Sequence, residues 1–212
     1  VILQIKNLER IDVLINNAGA LFLKREVNSR GIEKTFAINY LSHFYLTISL
    51  IDVIKKTKNS RLINISSMAH KFAKLNLNDM NFLKNYNGYV AYFNSKLMNL
   101  LFSYKIDRIY HNYINCYAIN PGWLNTNFGN NNQSNIRFLL DFVRDKFATK
   151  PSYVANKIFN ICTNEEYLNY SGKYFVKSKI AKSSDLSYNK NLQDELWEKS
   201  LKMIRTQKNE IK

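Results

Sequence analysis

Tyr92 and Lys96 stand four residues apart in the stretch Tyr92-Phe-Asn-Ser-Lys96. On a helix their side chains leave the same face, one turn from each other. A phenol beside an ammonium ion ionises more readily than its reference pKa of about 10 allows, because the cation favours the phenolate. Such a pair can pass a proton near neutral pH, as a general acid or base must. Ser67 lies 25 residues before Tyr92, just after the hydrophobic run Leu62 to Ile65. That run reads as a buried strand, and strand ends are where open α/β sheets hold their ligands. The chemistry these three residues predict is proton transfer to or from an oxygen.

The Tyr-Lys spacing recurs at Tyr153 and Lys157, but the position 25 residues before Tyr153 is Phe128. With 14 tyrosines and 31 lysines and arginines a chance match is expected, so the second pair reads as accidental. Two other polar groups stand in apolar surroundings. Asn39 interrupts a hydrophobic helical pattern and is either a hydrogen-bonded core amide or a site residue. Asn16-Asn17-Ala18-Gly19 ends an apolar run; its Asn side chains can tie strand ends together, and Gly19 admits close approach of backbone or ligand. A simple strand-ending turn is the plainer reading of that tetrapeptide. His43 reads as a packing residue, since no metal partner stands at a suitable spacing, and no metal site is expected.

The elements that must position these residues follow from periodicity. Residues 1 to 9 read as the tail of a helix, and Ile11 to Ile15 as a buried parallel strand. Ser29 to Lys56 reads as a long helix with Ile32, Phe36, Tyr40, Phe44 and Ile48 at helical spacing. Leu62 to Ile65 is the next strand, 68–88 a long polar connection, and Tyr89 to Tyr110 a helix. Ile114 to Ile119 gives a strand closed by Asn120-Pro121-Gly122. A helix follows over Ser152 to Cys162, opened by Pro151, then a short strand over Lys173 to Val176. Leu192 to Ile204 is an amphipathic helix with Leu196, Trp197 and Leu201 inward. Strand–helix alternation implies an α/β fold, a parallel sheet with helices on both faces. Residues 123–150 break the pattern and read as a mobile loop over a cleft or as a surface insertion.

The totals set bounds. A chain of 212 residues with 46% hydrophobic and 14% aromatic residues is a globular domain, or part of one. Two cysteines, Cys116 and Cys162, make neither a disulfide framework nor a zinc site, and a reduced intracellular setting is the default. No run approaches the ~18 consecutive apolar residues of a membrane span. The net charge of +15 invites a nucleic-acid reading. The lysines are scattered, however, and no nucleic-acid motif is present. Abundant Asn, Lys, Ile and Tyr point instead to a compositional bias, with part of the charge available to an acidic cofactor or a membrane surface.

Asn16-Asn17-Ala18-Gly19, Asn39, Ser67, Tyr92, Lys96, and Pro121-Gly122 with Thr126 resemble, in order and spacing, the short-chain dehydrogenase/reductases. Thr35-Phe-Ala-Ile-Asn-Tyr-Leu-Ser-His-Phe44, Ser66-Ser-Met-Ala-His70 and Ser171-Gly-Lys-Tyr-Phe175 are similar to the retinol dehydrogenase branch. The resemblance implies a Rossmann-like doubly wound sheet and an NADP-dependent oxidoreductase, with NAD as the alternative cofactor. It would interconvert a carbonyl and an alcohol on a small lipophilic, retinoid- or sterol-like substrate. Tyr92 would be the acid/base, Lys96 would lower its pKa and bind the nicotinamide ribose, and Ser67 would polarise the substrate oxygen. Asn39 would hold a relay water, Pro121, Gly122 and Thr126 would border the nicotinamide, and Asn16 to Gly19 the adenosine side. No nucleic-acid partner is implied. The setting would be cytoplasmic or endoplasmic-reticulum associated, with any membrane anchor upstream of Val1. A hydrolase is disfavoured, since there is no Gly-x-Ser-x-Gly elbow. A non-catalytic, reductase-like scaffold acting as an interaction protein is the rival, against which the intact Ser67-Tyr92-Lys96 spacing argues.

One departure is large. The family opens with a strand and a glycine-rich turn whose N–H groups hold the pyrophosphate, and no such turn exists in this sequence. The start at Val1 makes a partial domain lacking its first strands and helices the expectation, with a naturally short protein as the alternative. The 212-residue chain alone is therefore expected to bind NADP(H) very weakly or not at all. Fluorescence titration with reduced cofactor tests this, and micromolar binding would overturn it.

Overall fold

The computed structural model describes residues 2–122 and 151–209. Five strands form one sheet in the order β1-β2-β3-β4-β5: Val13–Asn16, Ser60–Ile65, Ile114–Asn120, Tyr174–Val176 and Lys179–Ala181. The first four run parallel; β5 returns antiparallel to β4. Asn16 is level with Asn64, Ile65 with Ile119, and Asn120 with Val176. The residues that follow these strands thus share one edge of the sheet.

Helices cover both faces, as the alternation implied. Every residue of β2 is buried, and successive side chains point to opposite sides. Leu62 joins the larger core with Phe36, Phe44 and Leu50 of helix α2 (Lys34–Lys56), Leu97, Leu101 and Phe102 of α3 (Gly88–Tyr110), and Leu196 and Trp197 of α5 (Lys190–Asn209). Ile63 and Ile65 face the other way, with Tyr117, Ile119, Phe175 and Ile161 of α4 (Pro151–Thr163). Each such aliphatic side chain contributes roughly 1.5–3 kcal/mol on full burial. Trp197 meets Phe44 edge-on at 5.3 Å and stacks on Phe102 at 6.2 Å, fixing α5 against α2 and α3. Leu201 is only partly buried. By length and composition α2 could cross a membrane, but Phe36, Tyr40, Phe44, Leu50 and Ile54 are buried in this core.

Several boundaries differ from expectation, each for a local reason. The long helix begins at Lys34, not Ser29. The Asn28 side chain accepts from the N–H groups of Arg30 and Ile32, Gly31 takes φ 70°, and Glu33 caps the helix by accepting from Thr35 and Phe36. The first strand starts at Val13 and lies at the sheet edge, leaving Ile15 44% exposed rather than buried. The polar connection contains a 3-10 turn, Met68–Phe72. A short α1 at Ile2–Lys6 matches the expected helix tail. Strand β5 was not expected. It is three residues long and follows a turn in which Lys177 has φ 59°, too little sequence to show a period. The segment 123–150, with its proposed loop, and Thr126 lie outside the described residues.

Gly88, the first residue of α3, packs against the backbone of Phe22 and Leu23 so closely that an added Cβ would overlap the Phe22 carbonyl oxygen and lie 2.7 Å from Leu23 Cα. Neither backbone atom can rotate away. Gly88→Ala is expected to destabilise the fold by about 1–3 kcal/mol. The urea midpoint measures this, and an unchanged midpoint would show that the 22–23 segment is free to shift.

Candidate active site

The Ser67, Tyr92 and Lys96 side chains converge beyond the carboxyl ends of β2 and β3. β2 delivers Ser66 and Ser67, and α3 presents Tyr92 and Lys96 one turn apart. Asn87 begins that helix by accepting from the N–H groups of Tyr89 and Val90. Ser67 is extended, at φ −157° and ψ 158°; its hydroxyl accepts from Ala69 N at 3.2 Å and lies beside the Tyr92 phenol, where it opposes the pKa rise that burial causes. Lys96 is buried. Its ammonium donates to the Ile65 carbonyl at 3.2 Å and stands 5.6 Å from the Tyr92 ring centroid.

The electrostatics differ from the simple expectation of a phenol acidified by its neighbouring cation. Burial pushes the Tyr92 pKa up, and the Ser67 hydroxyl only partly opposes this. Burial also pushes Lys96 down to about 8. The reason is desolvation: both charged forms lose water on burial. In this state the phenol holds its proton firmly while the amine releases its own near neutral pH. The Tyr153–Lys157 pair shows why spacing alone is a weak signal. Lys157 Nζ lies 5.4 Å from the Tyr153 ring, nearly the same local geometry, yet Tyr153 is exposed on α4.

Asn39 is buried within a π-helical turn, Ala37–Leu41, of α2. Such turns insert an extra residue and often mark functional positions. Its amide accepts from Ala20 N at 2.7 Å and donates to Ala20 O at 2.9 Å and Ser95 Oγ at 3.0 Å. It therefore fastens the loop after β1 to α3. A Cβ at Gly19 would lie 3.6 Å from both Asn39 Oδ1 and Lys96 Nζ, which is ordinary contact. Gly19 thus adjoins the site, and the fold itself has room for a side chain there.

Asn16 faces inward. Its Nδ2 donates to Asn64 Oδ1 at 2.8 Å and to Thr47 Oγ1 at 3.0 Å, so this side chain ties β1 to β2 and α2. Asn17 and Ala18 are exposed and, with Asn16, Ser42 and His43, line a cleft of about 360 Å³ that does not reach Ser67, Tyr92 or Lys96. His43 is buried, and among the described residues neither ring nitrogen has a hydrogen-bond partner; burial and then the Lys96 charge push its pKa down to about 4, against the opposing influence of Asn39, Asn99 and Ala18. Pro121 and Gly122 follow β3 at the same sheet edge. Gly122 takes φ 84°, which favours glycine, and its N–H donates to Asn120 Oδ1 at 2.9 Å. Among the described residues, the buried Asn120 Nδ2 has no hydrogen-bond partner.

Three supporting residues were not singled out in the sequence. Ser66 Oγ donates to Lys96 O at 2.8 Å, Asn99 Nδ2 donates to Ile65 O at 3.2 Å, and His70 stands behind Ser67. Asn99 is legible in retrospect, being three residues past Lys96 on the same helical face. The other two are the ends of the motif Ser66-Ser-Met-Ala-His70, whose resemblance assigns neither a role.

The sequence profile of the short chain dehydrogenases matches residues 3–137. Retinol dehydrogenase 13 of Mus musculus is 31% identical over 206 residues, an alignment covering 94% of this chain and 62% of that protein. Polyprenol dehydrogenase of Homo sapiens is 30% identical over 207 residues, covering 91% and 61%. The chain thus spans about 62% of the length of such relatives. Among solved structures, the NADPH-bound carbonyl reductase from chicken fatty liver superposes with a TM-score of 0.60 at 19% identity, covering 85% of this chain and 68% of that one. That likeness identifies the fold, a doubly wound Rossmann-type sheet. With most of its length matched by the family profile, this chain belongs to the short-chain dehydrogenases, and the relatives named above place it beside the retinol dehydrogenases.

Proposed function

We propose that the protein to which this chain belongs is an NAD(P)-dependent oxidoreductase that interconverts a carbonyl and an alcohol, with Tyr92 as the acid/base. The observation that carries this is the convergence of three side chains: the Ser67 hydroxyl lies close enough to the Tyr92 phenol to oppose the rise in its pKa on burial, and the buried Lys96 ammonium stands 5.6 Å from the centroid of the phenol ring. Two hydroxyls at one strand end can grip a single substrate oxygen, Ser67 orienting it and Tyr92 giving or taking its proton. A nicotinamide cofactor, when bound, supplies or accepts the hydride. Tyr92 held protonated by burial suits donation to the carbonyl oxygen during reduction. Lys96, titrating near 8, suits return of a proton to the phenolate left behind.

The residues present fit one end of such a cofactor. The open face of Gly19 and the turn Asn120–Gly122 would hold its nicotinamide half, Asn17 and Ala18 its adenosine side, while Asn16 acts through the sheet. The sequence contains no glycine-rich turn for the pyrophosphate. NADP is the favoured cofactor because the carbonyl reductase of like fold is NADPH-bound, with NAD as the alternative.

A lipophilic substrate is supported by two observations. The relatives are named for retinol and polyprenol, both isoprenoid alcohols. Around the hydroxyl pair, Met68 is 52% and Phe72 66% exposed, and Phe72 meets Phe93 at 5.7 Å, giving Ser67 and Tyr92 an apolar surround.

In the full-length protein, Tyr92→Phe is expected to lower kcat for reduction of an isoprenoid aldehyde by at least about 100-fold, the range of general acid catalysis. Steady-state kinetics with NADPH measure it. Turnover within about tenfold of the parent would reject Tyr92 as the acid.

A further inference from the structure

Ser67 is held from behind by a residue outside the proton chemistry. His70 is 1% exposed. Its Nδ1 lies 2.6 Å from the Ser67 carbonyl oxygen, and its Nε2 accepts from the Ser184 N–H at 3.0 Å. A backbone N–H can only donate, so Nε2 must be bare and the single proton sits on Nδ1, donating to Ser67 O. The ring also stands edge-on to Tyr174 of β4, with centroids 5.3 Å apart. One neutral imidazole therefore joins the end of β2, strand β4 and the loop that leads into α5.

That loop is itself anchored. Ser183 N donates to Tyr188 Oη at 3.1 Å, and the hydroxyls of Ser183 and Tyr104 are paired at 2.7 Å. Tyr104 and Tyr188 stack at 5.2 Å, and Gln193 Nε2 donates to Ser187 O at 2.9 Å. The loop is thus fixed to α3 and α5, and His70 transmits that fixed position to Ser67.

We propose that His70 is a positioning residue for Ser67: its neutral imidazole, clamped between the Ser67 carbonyl and the Ser184 N–H, aims the Ser67 hydroxyl at Tyr92, and its protonation opens the clamp. This rests on the carbonyl–alcohol reading above. A second proton would fall on Nε2, setting two donors against each other and breaking the bond to Ser184. Burial lowers the His70 pKa below its ordinary value, the Ser67 carbonyl opposes this, and Lys71 beside it lowers it further. Among the described residues, the other titratable groups on the packed elements include the Tyr174 phenol, pushed up to about 12, Tyr104 and Tyr188 at Ser183, Tyr92 and Lys96 of α3, and the exposed Lys182–Asp185 pair of the loop, whose carboxylate is taken by Lys182. None supplies a carboxylate that would stabilise a cation at His70. The clamp is closed at neutral pH and opens below the ordinary histidine range.

The test uses the full-length protein with NADPH and an isoprenoid aldehyde, comparing His70→Gln, His70→Asn and the parent. Asn places an amide donor near the Nδ1 position and keeps the bond to Ser67; Gln reaches the Nε2 position and keeps only the bond to Ser184. His70→Gln is expected to lose about tenfold or more in kcat, the scale of a small misplacement, with the KM for NADPH unchanged. His70→Asn should recover most of that loss, and both variants should lack the acidic limb that the parent shows below the ordinary histidine pKa of about 6.5. Nitrogen-15 histidine spectra of the parent should show the Nδ1–H tautomer at neutral pH. An Nε2–H tautomer, or a His70→Gln enzyme with unaltered kcat and acid limb, overturns this inference alone. A parent protein that reduces no carbonyl substrate while showing the Nδ1–H tautomer overturns the oxidoreductase reading, and the positioning role with it.

Discussion

The carbonyl oxygen of Ile65 accepts from two side chains of α3, the Lys96 ammonium and the Asn99 amide, each at 3.2 Å. Ser66 returns the grip by donating to the Lys96 carbonyl at 2.8 Å. The last residue of a central strand is thereby locked to the middle of the helix that carries the candidate acid. The lock holds a charge out of water, which is tolerable only because a carbonyl partner is aimed at it. It also fixes the relation between Ser67, two residues past Ile65, and Tyr92, one turn before Lys96.

A second set of polar contacts extends this lock across the sheet. Asn64 accepts from Asn16 and donates to Ser103 at 2.8 Å, and Ser103 donates to Asn99 O at 2.7 Å. Asn39 does the same for the loop after β1, pairing with both backbone groups of Ala20 as a neighbouring strand would. Buried amides of this kind leave costly unpaired groups when a partner is removed, about 1–3 kcal/mol each. Side chains that look like candidate ligands in the sequence therefore divide in two. Asn16 and Asn39 are turned toward the protein, whereas Gly19, Ser67, Tyr92 and Gly122 stand at the edge where a ligand would lie.

Strands and helices were legible wherever the period was long enough to show. Ser60–Ile65, Gly88–Tyr110 and Ile114–Asn120 fall within two residues of their expected bounds. The start of α2 was misplaced because its stop is a side-chain event: Asn28 closes a turn and Glu33 caps the helix, and neither alters the apolar spacing that continues back through Ile32. The exposure of Ile15 was equally invisible, since an apolar run does not disclose which strand will stand at the edge. At the site, the Tyr–Lys spacing and the serine were readable from sequence. The residues that hold them, His70 and Ser66, were not, because their partners are backbone atoms brought near only by the fold.

The direction of the proton affinities at Tyr92 and Lys96 was the least legible feature, and it bears most on the chemistry. Spacing along a helix places an ammonium beside a phenol, and Coulomb attraction alone would then make the phenol more acidic. Burial acts on both groups in the opposite sense, raising the cost of phenolate and ammonium together. In this chain desolvation wins at both residues. Their proton affinities thereby cross and separate, the phenol moving upward from about 10 and the amine downward from about 10.4, so that the amine is the readier donor of the two. In the proposed reaction, a proton given by Tyr92 to a substrate oxygen would be replaced from Lys96, which a fully solvated lysine would yield only at a far higher pH. The desolvation that makes the phenol a reluctant acid is the same physical effect that makes the neighbouring lysine able to recharge it.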